Sequence, residues 1–169
     1  MVKTIGILMV ILGASGTGFS MAFSVRQNVS LVQQLLSAME VMKNEISYRR
    51  TPLPELMRLL ELQCHGCAAE FFGRLATDLS QRQERSVEII VRRQVAAVRA
   101  FPPAVRQILL QLGSGLGQYD TEGQLRSIDL TILRLRSLLE QYRSEQQTRI
   151  KSYCTLGICG GLAIAILAL

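Results

Sequence analysis

The chain has 169 residues, of which 49% are hydrophobic and 19% charged, too apolar a composition for an intrinsically disordered protein. The formal net charge is +6, but aromatic residues make up only 5% and tryptophan is absent, so no nucleic-acid partner that binds by base stacking is expected. A single histidine, His65, excludes any site that needs two histidines from one chain.

Residues 1–25 are predicted to form an N-terminal transmembrane helix. The run 4–25 carries no charged side chain and lies between Lys3 and Arg26, and an apolar run near this length can cross a bilayer. A cleaved signal peptide is the alternative, because residues 14–16 resemble a small-residue cleavage site. Small residues let membrane helices approach closely, and the candidates for this packing are Gly13, Gly16 and Gly18.

Residues 152–169 are predicted to form a second transmembrane helix at the C-terminal end. They carry no charge, and Arg149 and Lys151 precede them. At 1.5 Å per residue the run covers roughly 27 Å, close to the thickness of a hydrocarbon core. Gly157 and Gly161 form a G-x-x-x-G pair that suits helix packing in membranes. A buried helix of a soluble domain is the alternative.

The segment between the two spans, residues 26–151, is predicted to be a cytoplasmic domain. The basic residues near the spans lie mainly on its side, whereas only Lys3 lies on the other side. The positive-inside rule therefore predicts a cytoplasmic domain with both termini outside. A translocated interaction domain, with the opposite topology, is the alternative.

This domain is predicted to be all-α, because apolar residues recur at helical spacing and the alternation of strands is absent. Five helices are marked by this spacing and by breaks at proline or glycine, and a sixth begins after Asp120, a favourable N-cap residue. Their predicted ranges are 31 to about 48, 54–63, 68–82, 84–101, 103 to about 116, and 121–168.

The sixth predicted helix has the most regular apolar spacing. No helix breaker separates Gly123 from the second apolar run, so the helix is predicted to continue unbroken from residue 121 to residue 168. The predicted fold is therefore a membrane-anchored six-helix bundle whose first and last helices continue into transmembrane spans.

The segment Cys64-His65-Gly66-Cys67 is the main candidate for chemistry. A C-x-x-C pair can be a redox pair or half of a zinc site. The alternative is a plain turn between two helices, because no βαβ pattern precedes the pair and the other two cysteines, Cys154 and Cys159, belong to the second predicted span. No catalytic residue, metal ligand or cofactor is therefore assigned, although a membrane-bound redox or metal protein stays open as an alternative function.

No enzymatic motif is recognisable in the rest of the chain. The glycine-rich stretch 113–117 lacks the Gly-Lys-Ser/Thr ending of a phosphate-binding loop, so the protein is predicted not to be an enzyme. Arginines recur along the domain, and they form either solvated helix faces or a surface for an acidic protein or lipid. They are Arg49, Arg50, Arg92, Arg93, Arg99 and Arg106.

Three short patterns, in this order and with an apolar C-terminal helix, resemble the stage III sporulation protein AB family of endospore-forming bacteria. The first, Gly-Thr-Gly-Phe-x-Met-Ala, covers residues 16–22, and the second, Glu-Ile-x-Tyr-x-x-Thr-Pro-Leu, covers residues 45–53. The third covers residues 112–124 and reads Leu-Gly-x-x-Leu-Gly-x-x-Asp-x-x-x-Gln. That family is similar to the cytoplasmic six-helix domain of the inner-membrane platform in type II secretion and type IV pilus systems.

The resemblance implies a function as a non-enzymatic membrane adaptor in the channel complex between mother cell and forespore. The expected location is the mother-cell membrane around the forespore, and the expected partners are a secretion-type ATPase similar to stage III sporulation protein AA, other membrane proteins of the channel, and lipid. Residues shared with the family patterns or next to them are candidates for partner binding. They are Glu45, Tyr48, Arg49, Arg50, Thr51, Asp120 and Gln124, and their alternative role is in helix caps and interhelix hydrogen bonds.

Overall fold

A computed structural model describes residues 26–49, 51–81, 86–116 and 121–168 of the chain, with side chains described as far as residue 145. All regular structure in these residues is helical. The first helix, α1, covers residues 26–44 and continues into a π-helical turn, Glu45–Arg49. The other helices are α2 (Leu53–Gln63), α3 (Cys67–Gln81), α4 (Val87–Ala97), α5 (Pro103–Gly115) and α6 (Thr121–Ala168).

The described residues belong to two compact units. Residues Ser30–Leu139 form a helical bundle, and residues 26–29 and 140–168 are helical and belong to the second unit. The core of the bundle contains residues from all six helices, because each helix turns an apolar stripe inward. Its largest fully buried side chains are Leu35, Met39, Met42, Leu56, Met57, Leu60, Phe71, Phe72, Ile90, Leu109, Ile128 and Leu135.

Two helices of the bundle begin at proline. Pro54 lies in the first turn of α2, and Pro103 is the first residue of α5. Proline suits this position because the first amide groups of a helix have no intrahelical acceptor to bond. Both helices therefore start where the sequence predicts.

Helices α2 and α3 pack against each other across a short turn. Gly66 occupies the turn with a φ of +61°, a left-handed conformation that side chains other than glycine rarely adopt. The amide of His65 donates a hydrogen bond of 2.7 Å to Oε1 of Gln34 on α1. The turn is thus fixed both by its own glycine and by the first helix.

Helix α4 ends earlier than the predicted residue 101. Val98 leaves the helical conformation, with φ −85° and ψ 92°, and Phe101 is buried with its ring 5.4 Å from that of Phe71 on α3. The guanidinium of Arg106 donates 3.0 Å hydrogen bonds to the carbonyl oxygens of Arg99 and Phe101. Tertiary packing and these bonds replace the last predicted turn of helix.

Helices α4 and α5 approach closely at Gly113. A methyl group on Gly113 would lie 2.7 Å from Cγ1 of Val91 and 2.8 Å from its Cβ. Real carbon atoms do not approach so closely, so the absence of a side chain at Gly113 sets the distance between these two helices.

Helices α1 and α6 pack antiparallel within the bundle. Nζ of Lys43 lies 2.6 Å from Oδ1 of Asp129, and Nη2 of Arg136 lies 3.0 Å from Oε1 of Glu40. Glu40 precedes Lys43 on α1, whereas its partner Arg136 follows Asp129 on α6, so the two helices run in opposite directions. The chain therefore enters and leaves the bundle at the same end.

The all-α class and the bounds of α6 are confirmed, and the apolar stripe predicted for α1 is buried throughout. Leu62 is 83% exposed, whereas the other leucines of α2 are buried or half-buried. Asp120, the predicted N-cap of α6, lies outside the described residues.

The predicted membrane anchors stay predictions. Across the residues that the structure describes, no helix has both the length and the apolar content needed to cross a bilayer. The first predicted span, with Gly13, Gly16 and Gly18, lies outside the described residues, as do the side chains of 152–169. Gly157 and Gly161 lie in the helical backbone of α6. The domain boundaries at residues 25 and 151 likewise stay predictions.

Candidate partner-binding surface

The π-helical turn Glu45–Arg49 holds three of the candidate residues for partner binding. Oε2 of Glu45 accepts a hydrogen bond of 2.7 Å from Oγ1 of Thr51, and its Oε1 lies 3.3 Å from Nη1 of Arg49. The Glu45 side chain is only 13% exposed. This carboxylate therefore ties the end of the first helix to the segment that leads into α2.

Tyr48, in the same turn, points away from the bundle. It is 84% exposed, the largest exposure among the large hydrophobic side chains in the described residues. π-Helical turns occur often at functional sites, and tyrosine is enriched at the centres of protein interfaces. Among the predicted site residues that the structure describes, Tyr48 and Arg49, whose side chain is 74% exposed, have the exposure that suits contact with another protein.

The other candidates are divided between α6 and residues outside the structure. Gln124 lies half-buried in the first turn of α6, and Arg50 and Asp120 lie outside the described residues. The structure therefore brings Glu45, Arg49 and Thr51 into one contact group.

The Cys64-His65-Gly66-Cys67 segment forms the turn between α2 and α3. Both cysteines are free, with Cys64 buried and Cys67 half-buried. Burial raises the pKa of both thiols above the ordinary value, which lowers the fraction present as reactive thiolate. Among the described residues, no group of three or more His, Cys, Asp or Glu side chains is placed to hold a metal ion.

The arginines of the domain differ in their contacts. Arg93 bonds to Asp78 of α3, and Arg106 bonds to backbone carbonyls. Arg92 lies 3.0 Å from Glu88, one turn away on α4, with its own side chain 73% exposed. Arg93 and Arg106 therefore have structural contacts within the bundle, whereas Arg92 lies on a solvated helix face.

Asp78 joins α3 to α4 through contacts that the sequence does not reveal. Its Oδ2 accepts hydrogen bonds of 2.9 Å from Arg93 and 2.6 Å from Nε2 of Gln94. Burial alone would raise the pKa of Asp78, but these two hydrogen bonds and the Arg93 charge outweigh burial and lower it. Among the described residues, none bonds to Oε1 of the buried Gln94.

A groove between α5 and α6 is a further feature that the sequence does not predict. Its volume is about 380 Å³, and Gln111, Ser114, Arg126 and Leu130 are among the residues that line it. Leu130 and Leu133 are 49% and 61% exposed on α6. In the sequence, both leucines lie outside the regularly spaced apolar positions of α6, and this indicates that they are exposed.

These features define an all-α bundle whose described surface carries an exposed tyrosine, exposed leucines and arginines. The sequence pattern of the stage III sporulation protein AB family matches residues 3–169. The chain therefore belongs to that family, and the resemblance predicted from three short patterns is confirmed.

The chain is similar to a curated relative and to a solved structure of the same family. Stage III sporulation protein AB of Bacillus subtilis (strain 168) is 24% identical over 172 residues, which cover 99% of both chains. A solved structure of a stage III sporulation protein AB superposes with a TM-score of 0.67 at 20% identity, covering 72% of this chain and 98% of that chain. At this identity the solved structure supports the helical fold.

Proposed function

We propose that the protein is a non-enzymatic membrane platform of a sporulation channel complex and couples a cytoplasmic secretion-type ATPase to that channel. The observation that carries the proposal is the match to the stage III sporulation protein AB family over residues 3–169. The similarity of that family to secretion and pilus platforms supplies the expected partner, an ATPase similar to stage III sporulation protein AA.

The arrangement of α1 and α6 supports a platform role. These two helices are antiparallel, as the contacts of Lys43 with Asp129 and of Glu40 with Arg136 require. The bundle therefore has the start of α1 and the residues near Leu139 of α6 at the same end. The proposed location is the mother-cell membrane around the forespore, with the bundle in the cytoplasm.

The π-helical turn is the part of the predicted site that suits partner contact. Tyr48 is exposed, and Glu45 holds the turn through Thr51 and Arg49. A rigid backbone with an exposed aromatic side chain reduces the entropy lost on binding. We therefore expect this turn to contact the ATPase or other membrane proteins of the channel.

Binding of the purified full chain to the ATPase of the same organism tests this function. The dissociation constant is measured in detergent solution, with an unrelated membrane protein of similar charge as the control. We expect saturable binding and no ATP turnover by the chain itself. Absence of binding to the ATPase would contradict the proposal.

A further inference from the structure

The groove between α5 and α6 combines exposed apolar side chains with positive charge. Leu130 lines it, and Leu133 lies three residues further along the same face of α6. On α5, the partly exposed Leu110 lies one helical turn before Ser114, which also lines the groove. Leu133 itself lines the neighbouring groove on the α1 side, so Leu130 and Leu133 together form an exposed apolar ridge on α6 beside the α5–α6 groove. Adjacent exposed leucines of this kind make an apolar surface that a partner can cover.

The charges of the groove are basic. Arg126 lines it, and Arg134 of α6 bonds to the neutral amide of Gln111 on α5, so that this bond leaves the guanidinium charge uncompensated. Glu122 lies 3.7 Å from Arg126, but both side chains are about four-fifths exposed, at 82% and 77%, so this pair is weak. Among the described residues that line the groove, none is acidic.

A second groove on α6 differs in charge. It lies on the side of α1, where Leu133 lines it together with four charged residues, Glu40, Lys43, Asp129 and Arg136. These four charges form two ion pairs with each other, so the groove presents no net charge. Positive charge without a strong acidic partner therefore lies at the α5–α6 groove and not at the groove on the α1 side.

We propose that the α5–α6 groove is the docking site for an acidic amphipathic segment of the partner ATPase, a segment that carries Asp or Glu beside large apolar side chains. This inference rests on the proposed function, and the complementary charge is what selects the occupant. Leu130 in the groove and Leu133 on the adjoining ridge of α6 cover the apolar face of the segment, while Arg126 and Arg134 pair with its carboxylates. Amphipathic helices bind apolar grooves in this way, with side chains spaced by three and four residues.

The test compares the dissociation constants of purified full-length variants for the purified ATPase. Leu130→Ser/Leu133→Ser and Arg126→Glu are each expected to weaken binding by about tenfold or more, as truncations at the centre of an interface do. Arg126→Glu should also weaken the fall of affinity with rising salt concentration, because it replaces an attractive interfacial charge by a repulsive one. Thermal unfolding of each variant reports whether the bundle is intact.

Matched controls lie elsewhere on the bundle. Arg92→Glu is the charge control, because Arg92 also pairs with a glutamate one turn earlier and is similarly exposed. Leu62→Ser is the apolar control, since Leu62 is 83% exposed on α2. Both controls are expected to bind the ATPase with the affinity of the wild-type chain.

The outcomes separate this inference from the proposed function. If the wild-type chain binds the ATPase and the groove variants bind equally well, the docking site is wrong while the function stands. If the wild-type chain does not bind the ATPase, both fail. A third outcome also overturns the docking site: the groove variants keep their affinity for the ATPase but lose binding to vesicles of phosphatidylcholine and phosphatidylglycerol, which identifies the groove as a lipid surface.

Discussion

Substitution of Gly113 by alanine should destabilise the bundle, although alanine favours helices. In an ordinary helix interior the change from glycine to alanine stabilises by about 1 kcal/mol. Here the new methyl carbon would lie 2.7 Å from Cγ1, 2.8 Å from Cβ and 3.3 Å from Cγ2 of Val91. Rotation of the valine side chain moves the two methyl groups but not Cβ, so the backbones of α4 and α5 must separate.

The magnitude follows from two opposing effects. Overpacking of a well-packed core costs about 1–3 kcal/mol, and the gain in helix propensity offsets about 1 kcal/mol of it. Because three Val91 atoms lie within 3.3 Å, the upper part of the overpacking range applies, and the net loss is expected to be about 1–2 kcal/mol. For a bundle of this size each kcal/mol lowers the melting temperature by roughly 4 °C, between the values for 60–100-residue domains and for 150–250-residue proteins.

Urea unfolding of the full chain, followed by circular dichroism at the helix band, measures this loss. Gly73→Ala is the matched control, because its methyl group would contact only the carboxylate of the exposed Glu61 side chain, which can move away. That control should be neutral or stabilising by up to about 1 kcal/mol. Gly113→Ala with stability equal to or above that of the wild-type chain would refute the close approach of α4 and α5.

Three further results are expected. Asp78→Asn should lower the free energy of unfolding at neutral pH by about 1–2 kcal/mol, because it weakens hydrogen bonds to a charged acceptor. Because the pKa of Asp78 is lowered in the fold, its carboxylate stabilises the fold fully above the ordinary carboxyl pKa of 3.8, and this stabilisation is lost as the pH falls through the lower folded pKa. Urea unfolding at a series of pH values should therefore show the free energies of unfolding of the wild-type chain and of Asp78→Asn converging in acid. Asp129→Asn should change stability by less than about 1 kcal/mol, and less again in high salt, because its pair with Lys43 is half-exposed; a larger loss would show a stronger link between α1 and α6. In a chain with alanine at the two other cysteines, the rate of iodoacetamide alkylation of Cys64 and Cys67 should rise with pH to a midpoint above that of an ordinary thiol; a midpoint below it would indicate a reactive thiolate pair.

The sequence predicts the helices well where one apolar stripe runs along a helix. The stripe on α1 follows directly from this spacing, because burial of one face is what stabilises each helix in the bundle. The bounds of α6 follow instead from the favourable N-cap residue and from the lack of a helix breaker. The exposure of Leu62 does not follow from its residue type. It lies on a helix rich in leucine, but its neighbours already fill the buried face, so it is exposed.

Contacts between distant parts of the chain account for most of what the sequence did not predict. The early end of α4 depends on Phe101 packing against Phe71 and on the hydrogen bonds of Arg106. The Asp78 contact joins residues on two helices, and no local pattern marks it. The exposed leucines of α6 were visible as residues outside the buried stripe, but a single helix does not show which groove they flank.

The most direct test of the platform account is the side of the membrane on which the bundle lies. The native thiols of the α2–α3 turn are poor reporters, since burial raises their pKa. Leu62→Cys, in a chain whose native cysteines are replaced, places a thiol at a position that is 83% exposed. The account predicts that a membrane-impermeant maleimide labels this thiol only after the cells are permeabilised. Labelling in intact cells would place the bundle outside the cytoplasm and contradict the coupling to an ATPase.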